Sequence, residues 1–182
     1  MMIFEKDFIP NAYHFSEKTG KVKWEAPSNI ALVKYWGKKK NQIPTNPSVS
    51  FTLSESKTIT EIAFSKKENS DNFSFDFLFE GNSKADFHPK IEQFFERVEK
   101  YLPFLKSYHF TIDSKNTFPH SSGIASSASA MAALSLCLMD IERQFTEVSD
   151  EIFYKKASFL ARLGSGSACR SIKENPVVWG NF

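Results

Sequence analysis

The chain has 182 residues, a formal net charge of +2, 41% hydrophobic residues and 24% charged residues. These values are typical of one globular domain with a substantial core, and the 19 phenylalanines predict that aromatic rings fill much of it. Lysine and arginine do not gather in a tail, which disfavours a general nucleic-acid binder. No stretch approaches the roughly 18 apolar residues of a membrane span, and the acidic start MMIFEKDFIP is unlike a signal peptide. Cys137 and Cys169 lack metal-ligand spacing and are predicted to be reduced thiols in the cytoplasm.

The first 81 residues are predicted to be mostly strands. Residues 1–19 are interpreted as an N-terminal extension, either an extra strand or a loosely held arm, ahead of a main domain at 20–182. The predicted strands are 20–26, 29–36, 48–54, 58–65 and 73–81. Pro27 separates the first two strands, and a polar loop at 37–47 follows them. The last strand places Phe73, Phe75, Phe77 and Phe79 on one face, which favours a half-buried edge or surface strand over an aromatic binding stripe.

Helices dominate the second half of the prediction. A helix is expected from His88 to Leu102, ended by Pro103, and a strand at 107–114 follows it. Two longer helices are expected, one from about Ser126 to Arg143 and one from its N-cap Ser149 to Gly164. GSGSACRS (164–171) is interpreted as a tight turn into a short helix, and PVVWGNF (176–182) as the start of a buried strand. We expect from this unfinished strand that the chain is the N-terminal part of a longer protein.

The stretch TFPHSSGIASSASAMAALSLCL (117–138) is a small-residue loop that runs into a small-residue helix. Ser121, Ser122 and Gly123 precede a helix start near Ser126 and Ser127, where free N–H groups and the helix dipole suit a phosphate. The loop has neither the Walker pattern nor the dinucleotide-binding glycine fingerprint. The alternative is a tightly packed core helix without a ligand. His120 is interpreted as a polar surface residue rather than a base.

Two further stretches carry groups that suit anions. NIALVKYWGK (29–38) ends a strand with Tyr35, a hydroxyl donor, and Lys38, a point charge for phosphate. GSGSACR (164–170) ends in Arg170, whose guanidinium matches a carboxylate or phosphate with two parallel hydrogen bonds. The alternatives are aromatic packing with a surface lysine in the first stretch, and a serine-capped helix start with an exposed arginine in the second.

These stretches, with IPTNPSVSFTLS between them, closely resemble the diphosphomevalonate decarboxylase family over about residues 26–172. That family belongs to the superfamily of galactokinase, homoserine kinase, mevalonate kinase and phosphomevalonate kinase. The resemblance implies an α/β sandwich similar to ribosomal protein S5 domain 2, with a left-handed βαβ unit. In the family a ferredoxin-like C-terminal domain follows, and we expect it to lie outside this sequence. The resemblance also implies a cytoplasmic enzyme, a homodimer by the habit of the family, that uses ATP and magnesium to convert mevalonate 5-diphosphate to isopentenyl diphosphate.

The resemblance assigns roles to residues at matching positions. ATP phosphates would contact Ser122, Gly123, Ala125, Ser126 and Ser127. The diphosphate end of the substrate would contact Tyr35, Trp36, Gly37 and Lys38, whereas Lys39 and Lys40 would be ordinary loop charges. The second substrate segment would be Ser165, Gly166, Ser167, Ala168, Cys169 and Arg170, with Arg170 on the substrate carboxylate.

The chain departs from the family pattern at three places. PHSSGIASS stands where the family commonly has PTAAGLASS, and IKENPVVWGNF stands where a Gly-Gly segment usually follows. The family's catalytic aspartate, in a segment resembling M-D-A-G-P, has no counterpart, and neither Asp113 nor Asp140 matches it. We therefore expect the chain alone to be inactive. Two alternatives stay open: a kinase of the mevalonate 3-kinase or phosphomevalonate kinase type, which stops after phosphoryl transfer, and a non-catalytic nucleotide-binding module.

Overall fold

The computed structural model describes residues 5–10, 13, 19–68, 71–119, 122–173 and 175–180. Within these residues the fold is mixed α/β, with one six-stranded sheet. The strands are β1 (Gly20–Val33), β2 (Ser48–Lys66), β3 (Ser74–Phe79), β4 (Asn82–Ser83), β5 (Tyr108–Asn116) and β6 (Val177–Trp179). The α-helices are α1 (His88–Val98), α2 (Ser126–Glu142) and α3 (Asp150–Gly164).

The strands are ordered β1-β2-β5-β3-β4, and β6 pairs with the first residues of β2. β1 and β5 flank β2 in antiparallel fashion, whereas β3 and β5 are parallel neighbours. The chain between these parallel strands contains α1, because a parallel pair needs a crossover connection. A loop connects the end of β5 to the start of α2.

Two predicted strand breaks are wrong. β1 continues through Pro27, and the register with β2 shifts between Pro27 and Ser28. A proline is tolerated at such an irregularity because no regular ladder bond is required of it. Likewise, residues 48–54 and 58–65 belong to one 19-residue strand, β2, whose long pairing with β1 outweighs the weak local signals.

The hydrophobic core lies between one face of the sheet and the helices. On β5, Tyr108, Phe110 and Ile112 are buried, and the intervening residues are only partly covered. Helix α2 is buried along most of its length and packs against β1, β2 and α3. Each large apolar side chain buried here stabilises the fold by about 1.5–3 kcal/mol. The tight packing that the core-helix alternative expects of α2 is therefore present, whereas its lack of a ligand stays a prediction.

The phenylalanines of β3 face this core from near the sheet edge. Phe77 is buried and Phe75 is half-buried, with the Phe75 ring centroid 5.4 Å from that of Phe95. Phe77 and Phe79 lie 5.2 Å and 6.3 Å from the ring of Phe87. The predicted half-buried strand is confirmed, since only the two-residue β4 lies beyond β3.

The helix boundaries follow their local signals. α1 ends at Val98 and passes into the 3-10 helix Glu99–Tyr101 before Pro103. The Oγ of Ser149 accepts a hydrogen bond from the amide of Ile152, as expected for an N-cap, and α3 ends at Gly164. None of the described helices is long and apolar enough to cross a membrane.

The two ends of the chain are partly described. Glu5–Phe8 is a 3-10 helix, and the Phe8 ring lies 5.1 Å from that of Phe159. The described part of residues 1–19 contains no strand, and the division at residue 19 stays a prediction. At the other end, β6 pairs with Ser48–Ser50, but Val178 is 53% exposed, so the interpretation of a buried strand is wrong.

Candidate functional site

The loop before α2 has a strained backbone and an uncapped helix start. Gly123 has φ +78° and Ala125 has φ +61°, both in the left-handed region. For a non-glycine residue this conformation costs about 1–2 kcal/mol, a strain that is often retained where it serves a site. Ala125 is the N-cap of α2 and offers no side-chain hydrogen bond to the helix. The first N–H groups of α2, beside the hydroxyls of Ser126 and Ser127, therefore lack a side-chain cap and suit an anion.

Neighbouring strands hold this loop in place. The hydroxyl of Ser28 on β1 donates a hydrogen bond to the carbonyl of Ile124. On β2, Thr58 Oγ1 lies 2.6 Å from Ser129 Oγ and 2.8 Å from Asn116 Oδ1. These contacts join the last residue of β5 and the first turn of α2 to β2, so the loop is anchored at both ends.

A cavity of about 410 Å³ brings the three sequence stretches together. Its lining comes from the end of β1, the loop before α2 and the 3-10 helix Gly166–Ser171. The lining residues are Asn29, Ile30, Ala31, Lys34, Tyr35, Gly123, Ala125, Ser167 and Arg170. We call this space the central cavity.

Arg170 is a buried cation on the central cavity. Its side chain is only 3% exposed, so the alternative of an exposed arginine is wrong. Its Nη1 donates a 2.6 Å hydrogen bond to Ser48 Oγ, while its Nε has no partner among the described residues. Burial lowers the pKa of Arg170, but a guanidinium starts so high that it stays protonated at neutral pH. No described carboxylate pairs with this charge, so an anionic ligand would compensate it.

Asn29 fixes the helix that carries Arg170, a role that the sequence did not indicate. Its Nδ2 donates to Ser171 Oγ over 2.7 Å and lies 3.5 Å from the carbonyl of Ser167. Asn29 is 2% exposed, and its Oδ1 has no described partner. The available signal was a pair of polar residues, Ser28 and Asn29, directly before the apolar residues 30–33 of β1.

The segment after β1 lies beside the 3-10 helix Gly166–Ser171. Lys38 Nζ is 5.7 Å from the Tyr35 ring centroid, and a Cβ added to Gly166 would lie 3.1 Å from that Nζ. Gly166 therefore permits Lys38 to approach the backbone closely. Asn46 Oδ1 accepts a 3.0 Å hydrogen bond from the Trp36 amide, which braces the turn. Trp36 itself is 89% exposed.

Lys38 also borders a second space, the basic cleft, of about 710 Å³. Five cationic side chains and a single acid, Glu5, are among its lining residues. The cations are Lys38, Lys39, Lys40, Arg97 and Lys100. Lys100 is paired with Glu5 at 3.1 Å, and Arg97 donates to the carbonyl of Leu163. The view of Lys39 and Lys40 as ordinary loop charges stays a prediction.

A third space, the aromatic cavity, lies at the start of α2 and has a volume of about 270 Å³. Three phenylalanines line it. Several polar groups also line it, and two of them are the serines that begin α2. Its lining includes Phe77, Phe79, Phe87, Ser114, Asn116, Ser126 and Ser127. The alternating sequence pattern disfavours a binding role for the phenylalanines of β3, and no sequence signal singles out Ser114 or Asn116.

Several predicted site residues lie outside the linings of these three cavities as described. They are Trp36, Gly37, Ser122, Ser165, Gly166, Ala168 and Cys169. Ala168 is fully buried, and the thiol of Cys169 lies 3.3 Å from the carbonyl oxygen of Gly166. Burial raises the pKa of Cys169 to about 11. His120 and Ser121 lie outside the described residues, and the site roles stay predictions.

Neither Asp113 nor Asp140 lines the central cavity. Asp113 accepts a hydrogen bond from the Gly81 amide over 3.2 Å, and Asp140 accepts one from Trp24 Nε1 over 2.9 Å. The described lining of the central cavity contains no carboxylate. In the described part of the chain no three or more His, Cys, Asp or Glu side chains group as metal ligands would.

Residues 26–181 match the family model of the diphosphomevalonate decarboxylase-like N-terminal domain. The chain belongs to this family. A curated relative, the diphosphomevalonate decarboxylase of Ganoderma lucidum, is 38% identical over 165 residues. The match covers 85% of this chain and 40% of the relative, so the chain spans less than half of the length of that enzyme.

Solved structures of the family share the fold. Mevalonate diphosphate decarboxylase from Staphylococcus aureus has a TM-score of 0.75 and 34% identity, over 90% of this chain and 47% of that one. The Enterococcus faecalis enzyme, described by its mevalonate diphosphate mediated ATP binding, has a TM-score of 0.71 and 32% identity, over 90% and 48% of the two chains. Another similar structure is a complex with MVAPP, AMPPCP and magnesium. The predicted fold class is confirmed by these similarities.

Proposed function

We propose that this chain carries the nucleotide- and substrate-binding part of an enzyme that converts mevalonate 5-diphosphate to isopentenyl diphosphate with ATP. The observation that supports this most is the central cavity, where the backbone at Gly123 and Ala125 meets the buried cation of Arg170. A phosphate donor and a carboxylate-bearing acceptor would thus bind against one another. Membership of the decarboxylase family supports the same choice.

The loop before α2 would hold the ATP phosphates. The uncapped N–H groups at the start of α2 and the hydroxyls of Ser126 and Ser127 would donate hydrogen bonds to phosphate oxygens. A magnesium ion would neutralise charge on these phosphates, and the two hydroxyls are oxygen groups that suit it. The strained backbone at Ala125 would fix the N–H directions before the ligand arrives.

The aromatic cavity would receive the adenine base. Phe77, Phe79 and Phe87 offer ring faces for stacking, and Asn116 supplies an amide for the polar edge of the base. Because Ser126 and Ser127 belong to both this lining and the start of α2, base and phosphates would lie on adjoining surfaces. A nucleotide thus fits the site better than free phosphate does.

Arg170 would hold the carboxylate of mevalonate 5-diphosphate, and Lys38 its diphosphate end. In the reaction the tertiary hydroxyl takes the terminal phosphoryl group of ATP, and its C–O bond then breaks to release phosphate. The electron pair of the bond to the carboxylate forms the new double bond as CO₂ leaves. Arg170 would orient the carboxylate throughout, with two parallel N–H donors matching its two oxygens.

The proton of the tertiary hydroxyl needs an acceptor, and the described lining of the central cavity supplies no carboxylate. We place the catalytic aspartate, as the family resemblance implies, on a ferredoxin-like domain outside this sequence. The isolated chain would therefore bind ligands without turnover. The two free cysteines are compatible with the cytoplasm, and a homodimer is part of this proposal.

Calorimetric titration of the chain with mevalonate 5-diphosphate, in the presence of magnesium and a non-hydrolysable ATP analogue, tests the proposal. Arg170→Ala should weaken substrate binding about tenfold or more through loss of the charge-assisted pair. Arg162→Ala, an arginine of α3 whose guanidinium lies over Phe159, is the matched control and should bind as the unaltered chain does. Equal binding by both variants would contradict the role of Arg170.

An ADP-release assay with product analysis separates the remaining alternatives. The proposal expects no turnover by the chain alone. Release of ADP with CO₂ would show that the chain needs no further domain, and ADP without CO₂ would identify a kinase. Absence of binding to both ligands would reject the proposal for this chain.

A further inference from the structure

The pairing of β6 with β2 places side by side two residues to which no role has been given, Ser48 and Trp179. Ser48 and Trp179 are directly opposed Cα partners in this antiparallel pair, so their side chains lie on the same face of the sheet. Both contact the same group. Arg170 Nη1 donates a 2.6 Å hydrogen bond to Ser48 Oγ, and Arg170 Cζ lies 5.4 Å from the Trp179 ring centroid.

The hydroxyl of Ser48 has a fixed direction. Ser48 is fully buried, and its Oγ donates a 2.6 Å hydrogen bond to the carbonyl oxygen of Val33. Because a hydroxyl has only one hydrogen, this bond leaves its lone pairs for the N–H of Arg170. Val33 is the last residue of β1, directly before the segment that lines the central cavity.

The ring of Trp179 is braced as well. Its centroid lies 4.9 Å from that of Tyr35, with the two rings nearly perpendicular at 83°. Tyr35 lines the central cavity, so the ring that contacts Arg170 is held by a residue of that cavity. The guanidinium therefore has a cation–π contact with Trp179 and a hydrogen bond to Ser48.

We infer that Ser48 and Trp179 are positioning residues, which together hold the Arg170 guanidinium in the orientation that receives an anionic ligand. Among the described residues, only the bond to Ser48 uses an N–H of this guanidinium, so other N–H groups are left for the ligand. Arginine has a long, flexible side chain, and fixing it before binding reduces the entropy lost on binding. That the ligand is the carboxylate of mevalonate 5-diphosphate rests on the proposed function.

The first test observes Arg170 directly, without a ligand. The ¹⁵N-labelled chain gives a side-chain NMR signal for the Arg170 Nη1–H group that donates to Ser48, assigned by its loss in Arg170→Lys. Ser48→Ala should speed solvent exchange of this signal about tenfold, the factor expected for loss of one hydrogen bond to a charged group. Trp179→Leu should move the signal, and Trp179→Phe, which keeps a ring, should restore most of its position.

Ser50→Ala is the matched control. Ser50 lies two residues along β2 on the same face, it is also fully buried, and its Oγ has no described hydrogen-bond partner. The substitution removes the same atom from the same strand without touching Arg170. It should leave the Arg170 signal unchanged, whatever it does to the stability of the fold.

The second test is a double-mutant cycle on calorimetric binding of mevalonate 5-diphosphate. Ser48→Ala should lower the affinity about tenfold in the unaltered chain and have no further effect in Arg170→Ala, because Ser48 acts through that arginine. Ser50→Ala should change neither value. A loss of affinity in both backgrounds would indicate a general structural effect and overturn the positioning role.

The outcomes separate this inference from the proposed function. An Arg170 signal unchanged by Ser48→Ala and Trp179→Leu overturns the inference, whatever the chain binds. If the signal changes but substrate affinity does not, the two residues hold Arg170 without serving the ligand, and the inference is again wrong. If the unaltered chain binds no substrate, the proposed function fails, while the NMR comparison still decides whether Ser48 and Trp179 hold the guanidinium.

Discussion

The ammonium nitrogen of Lys156 lies 2.5 Å from Oε1 of Glu142, and the two side chains are only 4% and 2% exposed. Lys156 Nζ also donates to the carbonyl of Tyr101 over 2.8 Å, and the hydroxyl of Tyr13 donates to the same carboxylate. Burial lowers the pKa of Lys156, and the attraction of Glu142 opposes that change. This buried polar cluster joins α2, α3 and the N-terminal segment.

Breaking the buried pair from one side should be costly. Lys156→Met leaves the Glu142 charge buried without its cation, which should lower the free energy of unfolding by about 3–5 kcal/mol. Lys156→Met combined with Glu142→Leu should cost much less, because no charge stays buried. Urea unfolding measures both. Lys155→Met, which removes the neighbouring exposed lysine paired with Glu151, is the control and should have little effect. Equal losses in the single and double variants would contradict this account.

The loop before α2 and the turn between β3 and β4 each contain a glycine with a similar backbone conformation. Gly123 and Gly81 have φ +78° and +74°, and a Cβ added to either would meet no atom within 4 Å. Alanine at either position should therefore cost about 1–2 kcal/mol through backbone strain alone. Only Gly123→Ala should also weaken binding of an ATP analogue, since Gly81 lies in the turn between β3 and β4. Calorimetric titration of both variants measures this, and an equal loss of affinity would argue against a phosphate role for the loop.

The features that the sequence predicted correctly are mostly local. Ser149 begins α3 because its own side chain caps the helix, and Gly164 ends it. The start of α2 at Ser126 follows from the small residues before it. Such signals act within a few residues of one another, so they survive without knowledge of the fold.

The features that the sequence missed depend on distant partners. Arg170 is buried because Ser48, 122 positions earlier, accepts its hydrogen bond. Asn29 is buried because Ser171, 142 positions later, accepts a hydrogen bond from its side-chain amide. The continuity of β2 likewise comes from neighbouring strands rather than from its own residues. No local pattern specifies these contacts, which the fold creates.

The lysine run allows a direct test of which charge serves the site. Lys38 lies against Gly166 and near the Tyr35 ring, whereas no described ion pair involves Lys39. Lys38→Ala should weaken binding of mevalonate 5-diphosphate about tenfold, and Lys39→Ala should change it far less. Titrations at low and high salt measure both, because a long-range effect of net charge is screened by salt. If the two variants lose affinity equally, the whole run acts as a diffuse positive field.

The thiol of Cys169 should react slowly at ordinary pH. Alkylation needs the thiolate, and burial raises the pKa of this thiol from 9.0 to about 11. Near pH 8 the thiolate fraction should thus be roughly 100-fold lower than for an unperturbed cysteine, and it should rise with pH through about 11. Mass spectrometry after timed iodoacetamide treatment gives the rate for this residue. The urea-unfolded chain is the control, and a folded-state rate that levels off near pH 9 would contradict the raised pKa.

An exposed apolar patch lies on neighbouring residues of β1, β2 and β6. Ile30 and Phe51 are Cα partners, and Val178 is opposed to Val49, two residues before Phe51 on the same face of β2. Ile30, Phe51 and Val178 are 43%, 44% and 53% exposed. A contiguous apolar surface of this kind promotes association and binds hydrophobic dyes.

Phe51→Thr combined with Val178→Thr should lower both dye fluorescence and self-association of the chain, because threonine keeps the strand propensity while removing apolar area. Ile9→Thr is the control: Ile9 is 46% exposed but belongs to no strand and follows the 3-10 helix Glu5–Phe8. Fluorescence titration and analytical ultracentrifugation measure the two effects. If the unaltered chain is a stable monomer that binds no dye, the patch does not promote self-association. If Ile9→Thr acts as strongly as the double variant, the effect does not belong to this face.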